Sequence, residues 1–163
     1  MWLVALLVSL LTVWPLSLAA GELYVQATID REGQLHLVTA DRRQITPAKE
    51  RDQVGFDRPA ISADQTTVGW LALYPNCCTS YPIPLALVIY RDGKVRHTFG
   101  ERFPVWRWGF EANGQQVAFA QETVHGHLGV RFELRDVETG RLIASHEGDP
   151  RPDAPQWIRN VAD

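Results

Sequence analysis

The chain has 163 residues, and its 16 lysines and arginines against 19 aspartates and glutamates give a net charge of -3 at pH 7. This slightly acidic balance excludes a general electrostatic surface for nucleic acid, so we expect no nucleic acid partner. With 45% hydrophobic residues, twelve glycines and ten prolines, the composition excludes a disordered chain and indicates a turn-rich globular protein.

The N-terminal segment is apolar. Residues 2–20 contain no charged side chain, and small residues follow at Ser17-Leu18-Ala19. This pattern predicts a signal peptide over residues 1–19, cleaved near Ala19, and therefore a periplasmic or secreted protein. Because the run lacks a basic residue and is just long enough to span a bilayer, an uncleaved membrane anchor is the alternative. We expect contact with a membrane only in that case.

A hairpin is predicted directly after the signal segment. Apolar residues occupy every second position from Leu23 to Ile29, and the turn at residues 30–33 leads into a second alternating run. This period is typical of half-buried strands, so we predict a hairpin over residues 22–46. The charged segment that follows, residues 46–58, predicts an exposed loop.

From Pro59 onward the sequence consists of short alternating or apolar runs with turns about every 8 to 12 residues, which is typical of an all-β protein. The predicted strands are residues 67–73, 85–91, 94–99, 105–111, 116–122, 130–136 and 141–146. The run at residues 85–91 is apolar on both faces, which predicts a central strand.

The sequence contains an internal repeat. Residues 61–70 align with residues 110–119 at an offset of 49, and Gly93 aligns with Gly140 at an offset of 47. Periods of roughly 40 to 50 residues are typical of repeat architectures such as four-stranded propeller blades. The predicted organisation is a single β domain over residues 20–150, with blade-like units at residues 59–103 and 104–148 and a C-terminal tail at residues 149–163.

The aligned turns carry a family resemblance. Ser62-Ala63-Asp64-Gln65 and Glu111-Ala112-Asn113-Gly114 stand between strands, and the chain over about residues 59–146 resembles TolB-type, WD40-like propeller repeats of secreted bacterial proteins. Those blades have a Ser-Pro-Asp-Gly type turn, of which both copies here lack the proline. Closed propellers have about four to eight blades, more than this chain can form. We therefore expect an all-β fold of antiparallel meanders, arranged as two to three propeller-blade-like sheets, open or sandwich-like.

Both cysteines lie side by side in a loop over residues 74–84. Consecutive α carbons are about 3.8 Å apart, which is shorter than disulfides usually span, so a Cys77–Cys78 bond requires a distorted linkage. Four interpretations remain: a vicinal disulfide, two packed thiols, an intermolecular bond and a soft-metal site. Export and the lack of another cysteine favour the vicinal disulfide.

Aromatic residues in and beyond this loop predict a binding surface suited to sugars, cations or a protein. The candidate binding residues are Trp70, Tyr74, Asn76, Tyr81, Trp106 and Trp108. The alternative is that the tryptophans belong to the core.

Catalytic and metal-binding motifs give no positive signal. The sequence has no Gly-x-Ser-x-Gly elbow, no phosphate-binding loop and no His-Glu-x-x-His motif, so no catalytic residue is assigned. His125 and His127 flank a glycine, which indicates a hairpin tip, and a zinc site needs three or four ligands. We expect neither a metal site nor a cofactor.

Taken together, these patterns predict an exported, non-catalytic binding or interaction module that uses the loop at residues 74–84. Its expected partner is a protein or a small ligand, and a homo-oligomer is a further arrangement. The alternatives are a thiol-disulfide or soft-metal handling protein that uses Cys77 and Cys78, and an enzyme of unknown type. In the tail, Asp153 is a candidate helix cap, and we expect Trp157 to dock on the domain in either a helix or a strand.

Overall fold

The computed structural model describes residues 21–76, 79–100, 103–124 and 129–162. The predicted signal peptide, Cys77, Cys78, His125 and His127 lie outside these residues. The described part forms β1 (Tyr24–Ile29), β2 (Leu35–Thr39), β3 (Gln44–Ile45), β4 (Gly55–Ile61), β5 (Thr67–Tyr74), β6 (Ile83–Arg91), β7 (Lys94–Phe99), β8 (Val105–Glu111), β9 (Gln116–Gln121), β10 (Arg131–Asp136), β11 (Leu142–Glu147) and the helix α1 (Gln156–Arg159).

The strands form three antiparallel sheets. The first sheet has the order β1-β2-β3, the middle sheet β4-β5-β6-β7, and the last sheet β11-β10-β9-β8. Neighbours in each sheet are consecutive in the chain, so each sheet is a meander with two open edges. The prediction of an all-β fold built from open antiparallel meanders is confirmed.

The middle sheet is buried on both faces because the other two sheets pack against it. One face, which includes Trp70, packs against Tyr24 and its neighbours in the first sheet. The opposite face, which includes Leu87, packs against Phe119 in the last sheet. This arrangement explains why the sequence of β6 is apolar on both faces, since side chains alternate across a strand and both sides meet a core.

The C-terminal tail covers the outer face of the last sheet. Phe132 and Leu134 of β10 pack there against Ile158 and Val161, which are each 2% exposed. Trp157 is half-buried against the same cluster, as expected for a docking residue, while Ile158 is buried more completely. The tail forms the short helix α1, whose N-cap residue is Pro155 and not Asp153.

The predicted loop at residues 46–58 is corrected in its second half, because β4 begins at Gly55. This strand is an edge of the middle sheet, and its register shifts between Asp57 and Ala60. Arg58 has a φ of 47° at this bulge. Pro59 is compatible with the strand, because a residue at a bulge in an edge strand does not need a backbone N–H to hydrogen-bond with the neighbouring strand.

The internal repeat predicted from the sequence corresponds to equivalent strands. β5 begins at Thr67 and β9 begins at Gln116, which keeps the offset of 49 residues. Gly93 and Gly140 have φ angles of 73° and 70° in the turns that precede the outer strand of each sheet. The middle and last sheets are thus both four-stranded meanders whose strands follow in the same order along the chain.

Candidate functional site

The loop predicted at residues 74–84 is shorter in the structure, because β5 ends at Tyr74 and β6 begins at Ile83. The remaining residues, 75–82, are called the cysteine loop below, and they connect the two central strands of the middle sheet. Tyr74 at the end of β5 pairs with Ile83 at the start of β6. Both strands have a hydrogen-bonded neighbour on their other side, β4 and β7 respectively. The ends of the cysteine loop are therefore held by the part of the fold that is most completely paired.

Thr79 ties the described part of the cysteine loop together. Its hydroxyl accepts a hydrogen bond from Nδ2 of Asn76 at 3.1 Å and donates one to the carbonyl oxygen of Tyr81 at 2.6 Å. The side chain of Tyr81 points outward and is 55% exposed, the highest value for a large hydrophobic residue in the described part of the chain. The loop thus presents a tyrosine ring on a hydrogen-bonded backbone.

Tyr74 connects the cysteine loop to the loop at residues 46–54. Its hydroxyl donates a hydrogen bond to Oε2 of Glu50 at 3.1 Å. Burial of the ring, the hydrogen bond to Glu50 and the charge of that carboxylate raise the pKa of Tyr74 to about 12. The hydroxyl stays protonated at neutral pH and acts as a hydrogen-bond donor, not as a base or a nucleophile. Val54 at the end of this second loop is 46% exposed.

Trp70 lies in the core and adds nothing to this surface. It is 2% exposed, with its ring 6.1 Å from that of Phe56 and 5.7 Å from that of Tyr90. Its Nε1 is buried and has no hydrogen-bond partner in the described structure. Of the two alternatives left open by the sequence, the core position applies to this tryptophan.

Trp106 and Trp108 belong to β8 of the last sheet and point to different surroundings. The ring of Trp108 lies over Gly69 of the middle sheet, where it joins the core between the two sheets. Trp106 donates from Nε1 to the carbonyl oxygen of Glu122 at 3.1 Å, and its own carbonyl accepts from Arg58 at 2.7 Å. Tyr74, Asn76 and Tyr81 therefore form the described candidate site, and Trp106 lines a separate cleft of about 470 Å³.

A charged cluster on β10 was missed by the sequence interpretation. Glu133 is 5% exposed and accepts hydrogen bonds from Nε of Arg131 at 2.8 Å and Nε of Arg135 at 2.7 Å. The guanidinium of Arg135 also lies 5.3 Å from the ring centre of Phe99 in β7. The alternation of these charges is visible in the sequence, but their position beside Phe99 of the middle sheet is not.

The described residues contain no group of three or more histidine, cysteine, aspartate or glutamate side chains placed to hold a metal ion. Within the same ranges, no helix is both long enough and apolar enough to cross a membrane.

No model of a known protein family matches this chain, and no curated protein sequence matches it. The functional assignment therefore depends on the residues themselves. At the candidate site these residues offer an exposed ring, amide and hydroxyl groups and one carboxylate, which suit recognition by packing and hydrogen bonding.

Proposed function

We propose that the protein is an exported, non-catalytic binding module that recognises its partner through the cysteine loop. The observation that carries this proposal is the exposure of Tyr81, which is 55% exposed two residues before β6, in a loop held by the two central strands. Tyrosine offers a large contact area for a small loss of conformational entropy, so an exposed tyrosine on an ordered backbone suits recognition.

The groups next to the base of the cysteine loop indicate the kind of partner. The exposed side chain of Val54 belongs to the adjoining loop, and the Glu50 carboxylate lies 3.1 Å from the Tyr74 hydroxyl. A partner that packs an apolar or cationic group against the tyrosine ring and places a donor near Glu50 fits these groups. Both a protein segment and a small ligand can meet this requirement.

We also infer that the chain is an open stack of blade-like units related to the TolB-type repeats. What supports this inference is the contact between the two turns that align in the sequence: a β carbon on Gly114 would lie 2.6 Å from that of Ser62. In the first turn, Ser62 donates to Oδ1 of Asp64 at 2.6 Å, and the backbone N–H of Thr66 donates to the same oxygen at 3.1 Å. Such hydrogen bonds from aspartate and serine side chains are typical of tight turns.

Binding can be tested with the mature chain, residues 20–163, as bait for proteins of the cell envelope. Affinities of each retained protein are then measured by calorimetry for the unmodified chain, for Tyr81→Ala and for Val95→Ala. Val95 is a matched control because it is 47% exposed but lies on β7. We expect Tyr81→Ala to weaken binding about tenfold or more and Val95→Ala to leave it unchanged.

Small ligands are covered by a thermal-shift screen of soluble sugars and quaternary ammonium ions with the same three chains. A stabilisation that depends on Tyr81 supports the proposal. If every interaction found is equally strong in Tyr81→Ala, the cysteine loop is not the recognition surface. Rapid exchange of Cys77 and Cys78 with glutathione, without any binding that depends on Tyr81, favours the thiol-disulfide alternative.

A further inference from the structure

We infer that two copies of this chain pair antiparallel through β11, so that the last sheets of both copies join into one continuous sheet. An edge strand exposes unpaired backbone N–H and C=O groups, and proteins usually protect such edges with proline, charged side chains, bulges or short strands.

The other edges of the middle and last sheets carry such protection in the described structure. In β4, Pro59 stands at a bulge, and β7 contains Lys94 and Arg96. The backbone of β8 is engaged by Arg58, which donates to the carbonyl oxygen of Trp106 at 2.7 Å.

The edges of the first sheet are also poor sites for pairing. β3 is only two residues long. At the other edge, the backbone N–H of Tyr24 in β1 donates to the carbonyl oxygen of Gln65 in the middle sheet at 2.7 Å. β3 is therefore too short for strand pairing, and one backbone group of β1 is already engaged.

β11 has little of this protection. Its six residues, Leu142–Glu147, include no proline, lysine or arginine, although its register shifts once near Ile143. Leu142 and Ile143 are 37% and 38% exposed, so the strand also presents apolar side-chain surface to solvent. Strand addition by a partner would cover part of this surface.

The backbone of β11 is also oriented for pairing. The N–H of Gly148 donates to the carbonyl oxygen of Val130 at 2.8 Å, so Gly148 faces β10. Because these directions alternate along an antiparallel strand, the N–H and C=O groups of Ser145 and Glu147 point away from β10. They lie at the open edge of the sheet.

The charges at the two ends of β11 favour a second copy as the partner, although Glu147 also accepts a hydrogen bond from Arg131 of its own chain at 2.9 Å. Arg141 precedes the strand and Glu147 ends it, with Asp149 shortly after. Antiparallel pairing of two identical strands places the basic end of each copy beside the acidic end of the other, whereas parallel pairing places like charges together. Antiparallel pairing is also what a two-fold axis produces, and two-fold dimers are the commonest closed oligomers.

The test is sedimentation of residues 20–163 as a function of concentration. One strand pair buries less than the roughly 1,600 Å² of a standard protein–protein interface, so we expect a weak dimer. The measurement therefore extends to protein concentrations of about 500 µM. The variants Arg141→Glu and Glu147→Lys each place like charges at both ends of the pair. We expect each variant alone to be monomeric, and their equimolar mixture to form a dimer again.

Ser145→Pro provides a second variant that does not depend on charge. It removes a backbone N–H that points away from β10, so the hydrogen bonds between β10 and β11 are kept. We expect this variant to fold, which circular dichroism checks. We expect this variant to be monomeric. A chain that is monomeric over the whole range, or a dimer that survives Ser145→Pro and both charge variants, would overturn the inference.

Discussion

The indole ring of Trp108 lies directly on the backbone of Gly69. A β carbon added at Gly69 would come within 2.5 Å of Cη2 of Trp108, a distance that requires the ring to move. This contact joins β8 of the last sheet to β5 of the middle sheet and depends on the absence of a side chain at residue 69.

We expect Gly69→Ala to lower the free energy of unfolding by about 2 kcal/mol, because the displaced indole disturbs the core between the two sheets. The matched control is Gly109→Ala, beside Trp108 in the same strand, where an added β carbon meets nothing within 4 Å. Urea unfolding measures the free energy of unfolding of both variants, provided that their m values equal that of the unmodified chain. Equal stabilities of the two variants would contradict the role assigned to this contact.

Removal of the buried carboxylate between the two arginines should also be costly. Glu133→Ala leaves Arg131 and Arg135 without their shared partner, and because these side chains are only 26% and 27% exposed, we expect a loss of about 2 kcal/mol. Glu138, which is 62% exposed and 3.5 Å from Arg91, is the control. Its replacement by alanine should change the free energy of unfolding by less than about 0.5 kcal/mol. A loss at Glu138 as large as that at Glu133 would refute this account.

The raised pKa of Tyr74 predicts a stability change at alkaline pH. Because the pKa in the folded state, about 12, exceeds the ordinary value of 10.0, the protonated hydroxyl contributes its full stability below pH 10.0. That contribution is lost as the pH rises through about 12. The difference in tyrosinate absorbance between the unmodified chain and Tyr74→Phe should have its midpoint near this value.

Glu50→Gln separates the causes of that shift. The substitution removes the carboxylate that accepts the Tyr74 hydrogen bond, so the midpoint should fall toward 10.0 while burial of the ring keeps it above that value. A midpoint that does not respond to Glu50→Gln would mean that the link between the two loops is absent in solution.

The tail should contribute strongly to stability despite its short helix. Ile158 is 2% exposed against the last sheet, and we expect Ile158→Ala to cost about 3 kcal/mol through lost burial and the cavity that remains. Arg151→Ala, at an exposed position in the same tail, should stay within about 0.5 kcal/mol of the unmodified chain. Thermal unfolding of both variants distinguishes a docked tail from a loosely attached one, in which neither substitution matters.

Alternation of apolar and polar residues was sufficient to locate most strands. The boundaries predicted for β5, β6, β10 and β11 lie within two residues of those observed. β4 was only partly recognised, because Pro59 and the charged residues before it are typical of a loop. Only the pairing with β5, which tolerates the bulge at Arg58, makes this segment a strand.

The candidate site was predictable in part. The sequence placed the cysteine loop next to the most apolar strand, but it gave no sign that Glu50, 24 residues away, would bond to Tyr74. A bulge between Val105 and Arg107 brings Val105 into the core with Trp108, although strict alternation along β8 would place these two side chains on opposite faces. Bulges change the face of a side chain without any clear signal in the sequence.

The order of the layers limits how disturbances can spread through the molecule. The first sheet shares a core with the middle sheet, the middle sheet with the last, and the last with the tail, while no described core cluster joins the first sheet to the last. Each layer therefore senses only its immediate neighbours, as in proteins built from stacked repeats. Local unfolding of the N-terminal hairpin would expose one face of the middle sheet. The interface between the middle and last sheets, which contains Leu87 and Phe119, would stay intact.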